Sequence, residues 1–175
     1  MNSNAYEARC QRKLEEWHAP ISDWYCTDVI DIEEEASDTD LFTCELCGCS
    51  RVRFVHVMEH DDYFEDVRVG CICAGIMEGD VLAAKERERL MKNRAKRKRN
   101  FPKRKWKETP YGTYILMHKG SWIKMIHSKF NDQNYGVSYN GKIVWKYKGR
   151  PITSFLAAVY AAFDLVDPVE RIMRL

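Results

Sequence analysis

Four of the seven cysteines in this 175-residue chain fall in two short runs, Cys44-Glu45-Leu46-Cys47-Gly48 and Gly70-Cys71-Ile72-Cys73-Ala74-Gly75. In the first run a two-residue gap lets both thiolates reach one ion at about 2.3 Å, and the glycine behind them permits the tight backbone turn. The second run follows residues 51–58 and 66–69, which read as the two strands of a hairpin. The simplest assignment is a structural zinc site of Cys44, Cys47, Cys71 and Cys73, closed to substrate and adding its binding free energy to folding. The one-residue gap between Cys71 and Cys73 obliges the chain to bend around the ion. If either points away, Cys49, His56 or His60 is the alternative fourth ligand. Taken singly, Cys49 reads as a buried thiol, Cys10 and Cys26 as small core residues, and His56, alternating with Val52, Phe54 and Met58, as a hydrogen-bonded core histidine.

Between His56 and Asp62 stand two imidazoles and three carboxylates, the ingredients of a metal-dependent nuclease. On a strand, however, positions 56 and 60 sit roughly 13 Å apart and do not chelate one ion. There is no Ser/His/Asp set, phosphate loop or Gly-x-Gly-x-x-Gly. The expectation is therefore a non-enzymatic protein with no catalytic residues, the nuclease being a minor alternative.

The second chemical signal is charge. The net charge of +2 conceals a sorted chain: residues 1–80 hold six Lys/Arg against nineteen Asp/Glu, and residues 81–175 hold 22 against seven. Between Lys85 and Lys107 there are thirteen Lys/Arg, opposed only by Glu86 and Glu88. That density suits a polyanion, bound with strong salt dependence. The candidate nucleic-acid contacts are Arg94, Lys96, Arg97, Lys98, Arg99, Lys103, Arg104, Lys105 and Lys107, with Trp106 able to stack on an unpaired base or, alternatively, to pack under a sheet edge. DNA or RNA is the expected partner. A protein-interaction adaptor or inhibitor, gripping a partner through an acidic amino-terminal arm over residues 28–40, is the reading from a different class.

These groups need elements to hold them. Tyr6, Cys10, Leu14 and Trp17 recur at helical spacing and predict an amphipathic helix within residues 1–20. Residues 21–43 read as an acidic linker, 44–79 as the zinc module, and 80–108 as a basic helix capped by Asp80 with its linker. Residues 109–175 read as a four-stranded antiparallel meander covered by a carboxy-terminal helix. Lys119-Gly120 and Asn140-Gly141 supply its two hairpin turns, and Tyr135, Val137, Tyr139, Ile143, Trp145 and Tyr147 an aromatic-rich face. The fold class is α+β. The longest apolar run, residues 155–163, is far short of the roughly 20 residues that cross a bilayer. With a polar amino terminus and cysteines suited to metal rather than disulfides, a cytoplasmic location without membrane contact is expected.

The arrangement of knuckle, hairpin and ligand pair opening a short helix resembles a treble-clef zinc module. More specifically, Cys44-Glu45-Leu46-Cys47-Gly48, Arg53-Phe54-Val55-His56 and Val69-Gly70-Cys71-Ile72-Cys73-Ala74 resemble a group of bacterial and mobile-element proteins that share these runs. The resemblance extends over roughly residues 44–164 and implies the zinc module, without implying an activity. The group carries a histidine three residues after the last of these cysteines, where this chain has Ile76.

Overall fold

The computed structural model describes residues 3–35 and 40–174, and the chain divides into two compact units, Met1–Met91 with Ile172–Leu175, and Lys92–Arg171. It is α+β, as expected.

In the first unit, helix α1 (Ser3–Glu16) buries Cys10 and Leu14, with Tyr6 and Trp17 flanking them, so the 3.6-residue period of the sequence becomes one packed face. Three antiparallel strands follow in the order β1 (Tyr25–Asp31), β2 (Phe54–Glu59), β3 (Val67–Val69). The central strand β2 is buried from Phe54 to Met58, which its β-branched and aromatic run demands.

Strand β1 corrects the expectation of an acidic linker over 21–43. Val29 pairs with His56 and Ile30 with Val55, and the carboxylate of Asp31, 7% exposed, is held by Arg53 through Nε at 2.9 Å and Nη2 at 3.0 Å. An acidic residue that meets a guanidinium can join a sheet; counted only as charge, it reads as solvated. A four-residue helix α2 (Ile32–Glu35) continues the chain, and the rest of the expected acidic arm, 36–39, lies outside the described residues.

Helix α3 (Cys71–Glu78) starts after Gly70 and stops at Gly79, which takes φ +79°. Its Gly75 passes so close to the next helix that a Cβ there would stand 2.5 Å from the Val81 Cα, a contact no other residue type tolerates. Helix α4 (Val81–Asn100) opens with the Asp80 carboxylate accepting from the Ala83 N–H at 2.9 Å, the predicted cap. It passes from the first unit to the second after Met91.

The second unit contains the remainder of α4, a 3-10 turn at Phe101–Lys103, and a five-stranded sheet in the order β4 (Lys107–Glu108), β5 (Tyr114–His118), β6 (Ser121–His127), β7 (Tyr135–Tyr139), β8 (Lys142–Val144). The expected meander has four strands; two residues after Trp106 add a fifth at its edge. The last strand of the meander ends at Val144, because β9 (Lys146–Tyr147) leaves the sheet to pair with β10 (Arg150–Pro151). All three two-residue turns place a non-glycine followed by a glycine at positive φ: Lys119-Gly120, Asn140-Gly141 and Lys148-Gly149.

The two-residue turn at 140–141 pairs Tyr139 with Lys142 and Ser138 with Ile143. Ile143 therefore sits on the face opposite Val137 and is 52% exposed while Val137 is fully buried, so the aromatic residues do not form the single face expected. Helix α5 (Phe155–Val166), capped by the Ser154 hydroxyl at 3.1 Å from the Ala157 N–H, buries Ala158, Val159, Ala162 and Phe163 against the sheet.

Candidate metal centre and basic surface

The knuckle is formed by backbone geometry. Cys44 N–H donates to the Cys49 carbonyl at 2.8 Å, Gly48 N–H to the Cys44 carbonyl at 2.9 Å, and Gly48 itself takes φ +77°. The Gly70 N–H, just ahead of α3, points at the Cys44 sulfur at 3.4 Å. Around that turn the sulfurs of Cys44, Cys47 and Cys73 all lie within 4.8 Å of one another, a cluster that could hold a metal ion and is consistent with zinc. Three soft thiolate donors favour zinc over the oxygen-seeking divalent ions.

Cys71 is not among them. Because α3 begins at Cys71, residues 71 and 73 are two positions apart on a helix, about 200° around its axis, and they face different neighbours. Cys71 belongs instead to a second cluster with His56 and Glu88, whose donor atoms also lie within 4.8 Å of one another. The expected four-cysteine set is thus divided three to one.

The next sulfur to the first cluster comes from α1: Cys10, 2% exposed, lies with its Sγ 4.0 Å from that of Cys73. The Tyr6 hydroxyl sits 3.0 Å from the same sulfur. A tetrahedral ion with 2.3 Å bonds separates its sulfurs by about 3.8 Å, close to the Cys10–Cys73 distance, although Cys10 is not within 4.8 Å of all three clustered sulfurs. Sequence reasoning took Cys10 for a core residue, and the only signal available was its place on the buried face of α1. The alternatives His60 and Cys49 do not join either cluster. His60 stacks edge-on against Trp24, its Nδ1 accepting from the Asp62 N–H, and Cys49 is exposed rather than buried.

Crowding shows in the acidities. The thiol of Cys44 is pushed well above the ordinary range by its contact with Cys73 and then by burial, and that of Cys73 is raised by its contact with Cys10. The Cys10 thiol is lowered by the same contact with Cys73. Burial, with hydrogen bonds to Cys47 and Cys73, raises the Tyr6 hydroxyl. The three buried sulfurs of Cys10, Cys44 and Cys73, beside the exposed Cys47, ionise together only with a cation to offset their charge.

The basic segment separates into two populations. Arg94 and Lys98 are 4% and 6% exposed: Arg94 donates to the Asp164 carboxylate at 2.6 Å and the Asp167 carbonyl at 2.8 Å, and Lys98 reaches Asp164 at 3.1 Å. Arg97 donates to the Asp167 carboxylate at 2.8 Å. Trp106 is half-buried, packed edge-on against Phe101 and Phe155 with its indole N–H on the Phe101 carbonyl. Arg94 and Lys98 are therefore buried and Trp106 is half-buried among aromatic rings, which leaves these three less accessible than the other expected nucleic-acid contacts. Lys92, Lys96 and Arg99, spaced by four and three, share one exposed helix face, and Lys103, Arg104, Lys105 and Lys107 follow, all exposed. The same unit has a cleft of about 500 Å³ lined by Ile126, His127, Lys129, Phe130, Trp145 and Lys146, with Phe130 fully exposed. Nothing in the sequence pattern announced that cleft, because its walls come from the end of β6, the loop after it and the break at Trp145.

Among the described residues no helix is long and apolar enough to cross a membrane. Comparison with protein-family models, with curated proteins and with solved structures returns no match for this chain.

Proposed function

We propose that this is a zinc-stabilised, non-enzymatic nucleic-acid-binding protein. Cys44, Cys47 and Cys73 hold the ion, with Cys10 as the fourth sulfur, and the contacts to phosphate come from the second unit. The observation that carries this reading is the sorting of basic side chains there. Arg94, Arg97 and Lys98 are matched by Asp164 and Asp167, whereas Lys96, Arg99, Lys103, Arg104, Lys105 and Lys107 face solvent within one short stretch. Exposed cations at helical spacing follow a phosphate backbone without reading sequence. The cleft beside Trp145 and Phe130, with Lys129 and Lys146 on its walls, has the apolar and cationic surfaces on which an unstacked base rests.

The test is a variant carrying Lys96→Glu, Arg99→Glu, Lys103→Glu and Lys105→Glu, titrated against labelled single- and double-stranded DNA and RNA. A loss of at least tenfold in affinity, with the thermal midpoint unchanged, is the expected result. Equal affinity in the variant and the parent would overturn the proposal.

A further inference from the structure

We infer that His56, Cys71 and Glu88 form a second metal centre, separate from the sulfur cluster and built for a divalent ion of intermediate softness such as zinc. Its donors come from three elements, the middle of β2, the first residue of α3 and the second turn of α4, yet they converge within 4.8 Å. The independent observation is His56 itself. Its ring is fully buried, and its Nε2 makes no hydrogen bond among the described residues. The Glu88 carboxylate faces that nitrogen at 3.7 Å, beyond hydrogen-bond reach and wide enough to admit an ion that both atoms ligate. A buried imidazole nitrogen that faces a carboxylate at 3.7 Å without hydrogen-bonding to it, in one cluster with a thiol, is an arrangement that metal binding resolves.

The surroundings suit that ion. The Arg87 guanidinium forms its shorter bonds with Glu78, at 2.9 and 3.2 Å, and stands 3.4 Å from His56 Nδ1. Arg87 can only donate, so without metal Nδ1 accepts from it and the ring proton sits on Nε2; when Nε2 ligates an ion that proton moves to Nδ1, and the 3.4 Å contact with Arg87 opens while the Glu78 pair holds. Arg87 and Glu78 cancel in charge, and the Cys71 thiolate and the Glu88 carboxylate supply the two negative charges that a divalent cation takes. One nitrogen, one sulfur and one oxygen donor select zinc, cobalt or nickel over magnesium and calcium. Three protein donors also leave one coordination position for water or a small ligand.

Titration of metal-free full-length protein with cobalt(II), followed by absorption, tests this directly. Two equivalents are expected, the first with the intense charge-transfer band of several thiolates and the second with the weaker band of one. Glu88→Gln, which preserves size and fold, should weaken the second equivalent at least tenfold and leave the first intact; His56→Gln should do the same. Cys44→Ser should remove the first and leave the second. A single equivalent that survives Glu88→Gln and disappears in Cys44→Ser overturns the second centre while leaving the first standing. A single equivalent with the reverse behaviour supports it and dismisses the first. Absence of cobalt binding overturns both.

Discussion

Cys71 and Cys73 stand two residues apart, and the structure turns them to different neighbours because both lie on α3, where two positions are about 200° apart around the axis. At this scale the consequences are specific. On the proposed ligation, Cys47→Ser should reduce metal retention and cost several kcal/mol of stability, since structural zinc contributes to folding by an amount on the order of 10 kcal/mol; metal content after dialysis and a denaturant melt check it. Cys10→Ser should weaken metal retention in the same assay, whereas a purely packing role would lower the melt and leave metal content alone. The pH dependence has a definite sign. Folding raises the thiols of Cys44 and Cys73, so in the metal-free protein their contribution is present below the ordinary thiol range and lost as pH rises above it. Metal-free protein should therefore lose thermal stability on the alkaline side of that range, and metal-loaded protein, its thiolates already ionised, should not. The pair Cys44 and Cys47 was legible because their spacing alone sets what they can reach. Cys10 was not: sixty-three residues separate it from Cys73, and only tertiary packing brings the sulfurs to 4.0 Å.

Helix α4 shows the same limit at the scale of an element. Its charge is visible in the sequence; the division of that charge is not. Met91, Arg94, Lys98 and Phe101 recur at three- and four-residue steps and are all buried, so two cations occupy positions on an otherwise apolar stripe. Arg94 stacks over Phe163 at 5.0 Å and Lys98 over Tyr147 at 5.0 Å, which explains how both are accommodated. Arg94→Ala should destabilise the second unit by about 1–3 kcal/mol, since Asp164 loses a charge partner while remaining half-exposed and partly screened by water. It should leave nucleic-acid affinity within twofold in folded protein. Denaturant melts and anisotropy on the same sample separate the two effects. Strand β1 was missed for a related reason: Asp28 and Asp31 dominate its composition, while the pairing of Val29 and Ile30 with β2 is non-local. The hairpins of the second unit were legible because Lys-Gly and Asn-Gly turns are decided by the two residues at the turn, and the same rule applied to Lys148-Gly149 accounts for the one that was overlooked.

The molecule as a whole has two units with separate cores, one around Val55, Met58, Val69 and Ala74, the other around Ile123, Val137, Val159 and Ala162, and the proposed metal and phosphate contacts fall one to each. Removing metal with a chelator should raise amide exchange at Val55 and Met58 and leave Ile123 and Val137 protected; exchange followed by mass spectrometry reads both cores at once. The central claim concerns the second unit, and salt tests it most directly. We would measure the affinity of metal-loaded, nuclease-treated protein for single- and double-stranded DNA and RNA by fluorescence anisotropy across a series of salt concentrations. If six exposed cations meet phosphates, log K should fall against log salt with a slope of about −4 to −5, the smaller value for single strands. Binding that is absent at low salt, or whose affinity is indifferent to salt, would contradict the account.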